Sequence, residues 1–296
     1  MNAALELHDL TVRFKRFTLG PLRLDLQPGR VTGLVGPNGS GKTTSLRCIA
    51  GNLYPDAGEI TVCGRRATQH DGSWKEVIGY VPDSPCFFER MTAGNFLRFM
   101  SGFYPDWSHP FAGRLVERLK LDLGARVKHL SAGNRMKVSL VAALAHRPRL
   151  ALFDEPTAGL DPIVRTEVFE VLWEMMGNED MTVLYSTHIL DDLHRLADDV
   201  IFLHDGRVRL SATKDDLIDR WRRIRFGLDQ ELSDLAGVVE ATRVGPELEV
   251  ISNDGQKTLA ALSSLGATRV RAQSLTLEEI AVNIMKGNGD VTHRPR

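Results

Sequence analysis

The chain has 296 residues, of which 43% are hydrophobic and 25% are charged, and its formal net charge is −1. These values are typical of globular proteins and exclude a wholly disordered or fibrous chain. A charge balance this close to neutral also gives no sign of a nucleic-acid or membrane-surface protein. The length suits one large domain or two ordinary ones.

Strands and helices alternate along the first two thirds of the chain, which predicts an α/β fold with a parallel sheet between helices. The predicted strands are Leu5 to Phe14, Leu22 to Leu26, Val31 to Val35, Glu59 to Cys63, Leu150 to Phe153, Thr182 to Tyr185 and Val200 to Leu203. The predicted helical stretches are Lys42 to about Ala50, Met91 to Arg147 with a break at Tyr104, Ile163 to Met176, and Ile189 to Leu196.

The pattern changes near Thr213, where a second domain is predicted to begin. A charged helix over Lys214 to Arg223 comes first, and its arginines indicate a solvated face or, alternatively, a contact with anionic lipid headgroups. Short strands and helices follow, without any motif for chemistry. We expect domains at 1–215 and 216–296, the second being a small α+β accessory domain with a frayed tail from Lys286.

No apolar run is long enough to cross a bilayer. The run from Val138 to Ala145 is far shorter than the roughly 20 residues of a membrane span. The first ten residues carry Glu6 and Asp9 and lack the apolar core of a signal peptide. We therefore expect a cytoplasmic chain without a transmembrane helix.

The segment from Gly36 to Thr43 has the phosphate-binding pattern G-x-x-x-x-G-K-T between a predicted strand and a predicted helix. Glycines let the backbone approach the phosphates, and the N–H groups of the loop and helix start face the anion. Lys42 supplies a positive charge, and Thr43 supplies a hydroxyl for Mg²⁺. The predicted ATP contacts are Gly36, Pro37, Asn38, Gly39, Ser40, Gly41, Lys42, Thr43 and Thr44.

Two acids follow the apolar strand that begins at Leu150. Acids at the carboxyl end of a parallel strand lie where such sheets bind ligands. Asp154 is therefore a candidate Mg²⁺ ligand, and Glu155 a candidate general base that orients or deprotonates a water.

Further segments resemble the ATP-binding cassette (ABC) ATPases, the nucleotide-binding subunits of ABC transporters. Leu130-Ser131-Ala132-Gly133-Asn134 resembles their signature, usually Leu-Ser-Gly-Gly-Gln, and Ala158-Gly159-Leu160-Asp161 resembles their D-loop. His188 resembles the switch histidine, and Phe14 stands where the family has an aromatic that stacks on adenine, although Phe17 could serve instead. The resemblance covers roughly residues 4–212.

This resemblance implies a P-loop NTPase fold with an N-terminal antiparallel β subdomain and a helical signature subdomain at about 91–147. It implies that Ser131, Gly133 and Asp161 act in a head-to-tail dimer, where the signature of one subunit closes the ATP of the other. His188 would contact the γ-phosphate beside Glu155 and Lys42. Mg²⁺, a second ABC ATPase subunit (identical or different) and separate transmembrane permease subunits are implied. The chain would then lie on the inner face of the cell membrane, with no nucleic-acid partner.

The chain departs from the family pattern at three positions. The segment from Ile78 to Asp83 resembles the family's Q-loop, which normally has Gln where Asp83 stands. Asp83 is therefore either a charged Mg²⁺ ligand or only a turn residue after Pro82. Asn134 and Ala132 replace the usual Gln and Gly of the signature. The Pro82-Asp83 pair and the segment Tyr104 to Trp107 resemble a bacterial subgroup that serves ABC-2-type exporters.

Aromatic residues are frequent after the Q-loop segment, and either core packing or a groove for a membrane subunit explains them. They are Phe87, Phe88, Phe96, Phe99 and Phe103. The leading function is an ATPase that powers a transporter, most consistent with export. The alternative is a soluble ABC ATPase that acts on ribosomes or nucleic acid.

Overall fold

The computed structural model describes residues 3–68, 72–178, 181–228 and 235–286. It divides into two compact units. The first comprises Met1–Ala197 with Leu203–Val208, and the second comprises Asp198–Phe202 with Arg209–Arg296. The sequence predicts domains at 1–215 and 216–296. These limits remain a prediction.

The strands and helices are numbered in chain order, each type separately. The strands are β1 (Leu5–Arg13), β2 (Thr18–Leu26), β3 (Val31–Val35), β4 (Ala57–Val62), β5 (Arg65–Arg66), β6 (Ile78–Val81), β7 (Leu150–Asp154), β8 (Thr182–Thr187), β9 (Asp199–His204), β10 (Arg207–Thr213), β11 (Arg222–Gly227), β12 (Val238–Val244), β13 (Glu247–Ser252) and β14 (Thr268–Ser274). The helices are α1 (Lys42–Ile49), α2 (Ala93–Ser101), α3 (His109–Arg118), α4 (Ala132–Leu144), α5 (Pro162–Asn178), α6 (Leu190–Leu196), α7 (Lys214–Arg220), α8 (Gly255–Ser264) and α9 (Leu277–Met285).

The first unit begins with an antiparallel sheet in the order β2-β1-β4-β5. Leu5, Leu7, Leu10 and Val12 of β1 are buried on its core face. The spacing between Leu7 and Leu10 departs from strict alternation because the register shifts there, at Asp9, whose φ is 51°. This sheet is the expected N-terminal antiparallel subdomain.

A parallel sheet forms the centre of the first unit, with β3, β8, β7 and β6 side by side. Every residue of β3, β7 and β8 is buried, as in a sheet covered on both faces. The register pairs Val35 with Thr187, Asp154 with Ser186, and Val81 with Phe153. The strands therefore end together, and the loops that carry the candidate site residues leave from one edge.

Three helices, α2, α3 and α4, occupy the predicted helical segment. Each begins at a side-chain cap: the hydroxyls of Thr92, Ser108 and Ser131 accept hydrogen bonds from backbone N–H groups in the first turns.

The P-loop NTPase fold class expected from the sequence is confirmed. Within the described residues, no helix is both long and apolar enough to cross a membrane.

The second unit contains an antiparallel sheet in the order β12-β13-β11-β14. Ile224, Phe226 and Val250 on this sheet pack with Leu262 of α8 in a buried cluster. The opposite side of β11 carries Arg223 and Arg225. The unit is therefore a small α+β structure.

Some elements of the C-terminal region differ from the prediction. The charged helix ends at Arg220 because Arg222–Gly227 pairs on both sides as β11, so the expected helical face over its arginines is wrong. Strands β10 and β12 were not predicted. Charged residues interrupt the apolar alternation of β12, whereas the sequence of β10 does alternate. Most of the expected frayed tail, residues 287–296, lies outside the described residues.

Candidate active site

The phosphate loop leaves β3 at Gly36 and enters α1 at Lys42. A Cβ atom at Gly36 would lie 2.2 Å from the backbone oxygen of Leu203, so only glycine fits there. Gly39 and Gly41 have φ values of 82° and 109°, which glycine adopts without strain. The N–H groups in the first turn of α1, which includes Thr43 and Thr44, are those that a helix leaves unpaired and that bind anions.

Lys42 is the first residue of α1, and its side chain is buried beside the loop. Its Nζ atom donates to the backbone oxygen of Gly36 at 2.7 Å. The same atom lies 3.2 Å from Oε1 of Glu155. The ammonium therefore lies between the loop that would hold phosphates and the candidate general base.

Asp154 ends β7 in a fully buried position. Its Oδ1 atom accepts hydrogen bonds from Ser186 at 2.7 Å and from Thr43 at 3.1 Å. Its Oδ2 atom is buried and has no hydrogen-bond partner within the part of the chain that the structure describes. Burial raises the pKa of this carboxyl group, the two hydroxyls lower it, and the charges of Asp83 and Glu155 raise it further.

These features fit a divalent cation, because a buried carboxylate with a free oxygen beside a hydroxyl is the hard oxygen donor set that Mg²⁺ prefers. The metal residues expected from the sequence were Thr43, Asp154 and Asp83. Thr43 and Asp154 contact each other, and Asp83 lies within electrostatic reach of Asp154. Asp83 itself is exposed.

Glu155 faces His188 across the carboxyl edge of the sheet. Its Oε2 atom lies 2.8 Å from Nδ1 of His188 and accepts the backbone N–H of the same histidine at 3.2 Å. The backbone of Glu155 has a φ of 50°, which is uncommon for a residue with a side chain. Its N–H donates to Ser186 at 3.1 Å, so the residue is tied to β8.

Comparison with known proteins identifies the family of the chain. The family model described as "ABC transporter" matches residues 19–158. The Bacillus subtilis (strain 168) ABC transporter ATP-binding protein NatA is 35% identical over 205 residues, which is 67% of this chain and 83% of NatA. The chain belongs to the ABC transporter ATP-binding family. YtrB of the same organism, also named an ABC transporter ATP-binding protein, is 29% identical over 215 residues, 73% of each chain.

A solved structure of the ATP-binding subunit of an ABC transporter matches with a TM-score of 0.66 and 31% identity. The match covers 73% of this chain and 92% of that chain. The protein is thus an ABC ATPase that hydrolyses ATP with Mg²⁺, as the sequence predicted.

The signature residues of this ABC ATPase lie at the start of α4. Ser131 caps that helix by accepting the N–H of Asn134 at 3.2 Å. A Cβ atom at Gly133 would lie 3.1 Å from the side chain of Val164 in α5, so the two helices pack closely there. Among the hydrogen bonds and ion pairs of the described residues, none joins Ser131 or Gly133 to the phosphate loop.

Asp161 and Phe14 also lie apart from the contacts between Lys42, Glu155 and His188. The carboxylate of Asp161 accepts the N–H groups of Ile163 and Val164 and so caps α5. Phe14 is exposed and stacks on Phe17 with ring centroids 6.3 Å apart. A Cβ atom at Gly41 would lie 3.2 Å from the Phe17 ring, so Phe17 borders the phosphate loop directly.

Sequence reasoning missed the role of Ser186. Its hydroxyl is buried and holds Asp154, and its backbone oxygen accepts from Glu155. The residue stood within the quoted segment Ser186-Thr187-His188. Only the parallel register of β7 and β8, which places Ser186 beside Asp154, reveals the contact.

Proposed function

We propose that this ABC ATPase powers a membrane exporter, in which two ATPase subunits close head to tail on two ATP molecules and separate transmembrane permease subunits carry the cargo. The second ATPase subunit is a copy of this chain or a relative. The complex lies on the inner face of the cell membrane. The observation that carries the proposal is the contact series from Lys42 through Glu155 to His188 at the carboxyl edge of the parallel sheet.

Each residue in this series has a distinct role. Lys42 moves from Glu155 to the β- and γ-phosphates when ATP binds, because the phosphates carry more negative charge than one carboxylate. Glu155 then accepts a proton from the attacking water, and His188 orients Glu155 and contacts the γ-phosphate. Thr43, Asp154 and Asp83 would hold Mg²⁺, which would neutralise phosphate charge.

The signature supports the need for a second subunit. The N-terminus of α4 offers backbone N–H groups for an anion, and its caps and packing involve neighbouring residues rather than the phosphate loop of the same chain. The chain has one phosphate loop and one signature. In a head-to-tail dimer, Ser131 and Gly133 of each subunit complete the partner's ATP site.

Exposed aromatic rings support the permease contact. Phe88 and Phe103 are 54% and 61% exposed, and both stack edge-on against Phe99 at 5.3 Å and 5.0 Å. Core packing explains Phe96, which is buried, but not these three rings. An apolar surface of this kind suits a short helix of a membrane subunit.

The experiment that tests the function is a tagged pull-down of the whole chain from its native membranes in detergent. We expect a protein with several membrane spans to co-purify. The double variant Phe88→Ser, Phe103→Ser should lose this protein, whereas the control Trp173→Ser, an exposed ring on α5, should keep it. Recovery of ribosomes or nucleic acid in place of a membrane protein would overturn the proposal.

A further inference from the structure

A fully buried carboxylate lies behind the contact between Glu155 and His188. Asp192 of α6 has no exposed surface. Its Oδ2 atom accepts hydrogen bonds from Thr157 at 2.5 Å and from Tyr185 at 3.1 Å. Its Oδ1 atom accepts from the guanidinium group of Arg165. We define these four residues as the Asp192 cluster.

The members of the Asp192 cluster come from the segments that carry Glu155, Asp161 and His188. Tyr185 lies on β8, which ends just before His188, and Asp192 lies in the first turn of the helix just after it. Thr157 lies two residues beyond Glu155 on the loop that leaves β7. The cluster therefore holds both flanks of His188 against the loop of Glu155.

Arg165 adds the segment after the D-loop to the same carboxylate. It lies in the first turn of α5, shortly after Asp161, and its backbone N–H donates to the backbone oxygen of Asp161 at 3.0 Å. Its guanidinium also lies over the ring of Phe169 at 5.8 Å. A displacement of the D-loop by a partner subunit would thus reach the loop of His188 through one ion pair.

Stability alone is a weak reason for such a cluster. Replacing a buried ion pair by apolar residues of similar volume is often neutral or stabilising. The specific property of the Asp192 cluster is its geometry. A carboxylate with three hydrogen-bond donors from three segments has one arrangement that satisfies all three donors.

We propose that Asp192 is a positioning residue that fixes the backbone around His188 and so keeps His188 in contact with Glu155. The inference rests on the roles proposed above for His188 and Glu155. Asp192 touches neither of them and acts through the hydroxyls of Thr157 and Tyr185. It also makes the position of His188 sensitive to the D-loop through Arg165.

The test is the variant Asp192→Asn, whose amide group cannot accept from all three donors. We expect kcat for ATP to fall at least about tenfold while KM changes less than about twofold, because the phosphate loop is untouched. The matched control is Ser252→Ala, which removes a buried 2.7 Å hydrogen bond to Thr258 in the second unit and should keep wild-type kcat and KM.

A double-mutant cycle with His188→Ala, measured in single turnover with enzyme in excess, separates positioning from general damage. We expect Asp192→Asn to cause no further loss in the His188→Ala background. A full additive loss, or wild-type turnover of Asp192→Asn, would refute the inference. If Asp192→Asn fails to fold, Tyr185→Phe removes one donor and should lower kcat about threefold with the same non-additivity. Wild-type turnover of His188→Ala would refute the proposed role of His188 instead.

Discussion

Charged side chains at the carboxyl edge of the parallel sheet have different surroundings from those on the sheet of the second unit. At the edge, Asp154 has a buried oxygen without a hydrogen-bond partner among the described residues, and Glu155 has an unfavourable backbone conformation. In the second unit, Arg225 pairs with Glu249, and Arg223 pairs with both Glu249 and Glu279. The edge buries a carboxylate oxygen that no described residue contacts by a hydrogen bond, whereas the second unit pairs these charges with one another.

This difference indicates where the chain is less stable than it could be because the site has a function. A buried carboxylate with a free oxygen and a strained residue each raise the free energy of the folded state, and such features concentrate at sites that bind and react. Ion pairs at a half-exposed surface change the free energy of the folded state little in either direction. Substitutions at the edge should therefore change turnover more than stability, and substitutions in the second unit should do the reverse.

The largest effect is expected for Glu155→Gln, which removes the proposed general base and keeps the shape of the side chain. Turnover should fall by about a hundredfold to ten-thousandfold, while ATP binding persists and the ATP-bound chain gains mass as a dimer. Steady-state hydrolysis and light scattering with ATP measure both. The control Glu117→Gln, on the exposed side of α3, should behave as wild type. Wild-type turnover by Glu155→Gln would remove Glu155 from the mechanism.

Asp154→Asn should separate function from stability at a single residue. Turnover should fall about a hundredfold through loss of the metal ligand. The pKa of Asp154 is raised in the folded state, so the native fold favours the protonated form, and stability is lost as pH rises through that pKa. The variant should thus be more stable than wild type at pH 8, by up to about 1 kcal/mol.

Thermal unfolding of the nucleotide-free chain as a function of pH checks this expectation. The gap between Asp154→Asn and wild type should close as pH falls below the ordinary pKa of an aspartate. A variant that is less stable than wild type at pH 8 would show that the hydrogen bonds from Ser186 and Thr43 outweigh the burial of the charge.

His146 provides a third case, because it is buried outside both regions. It stacks on Tyr104 with ring centroids 3.9 Å apart, and its Nε2 atom contacts the backbone oxygen of Ile78 at 3.1 Å. Burial lowers its pKa from 6.5 to about 4. The neutral ring therefore stabilises the fold above pH 6.5, and this contribution is lost as pH falls from 6.5 towards 4, by up to about 3 kcal/mol.

The measurement is the pH dependence of the free energy of unfolding for His146→Gln, which removes the titrating ring. The variant should lose less stability than wild type between pH 6.5 and 4, whatever its stability at pH 7. His129→Gln, an exposed histidine, should keep the wild-type slope. Equal slopes for all three proteins would mean that the acid sensitivity arises elsewhere.

The candidate site residues could be predicted from the sequence where phosphate and metal binding restrict the choice of residue, and their roles stay predictions. The phosphate loop, Asp154 and Glu155 follow short apolar strands, and the strands, helices and parallel sheet around them are present as expected. The contacts of Ser186 and Asp192 depend on how β7, β8 and α6 lie side by side, which no local pattern states. In the second unit, β12 was not predicted because it has charged residues on both faces. Arg222 and Arg223 were predicted as the end of a helix, although they lie in β11.

The smallest effect is expected for Glu249→Gln, which tests the second half of the comparison. The change removes the partner of Arg225 but leaves Arg223 its contact with Glu279 at 2.8 Å. Because both arginines keep access to solvent, the free energy of unfolding should fall by at most about 1 kcal/mol. Urea denaturation measures this loss, and steady-state hydrolysis should stay within about twofold of wild type. A larger fall in turnover with intact folding would mean that the charges of this sheet act on the ATPase, so that the two regions differ in their exposure to solvent rather than in their role.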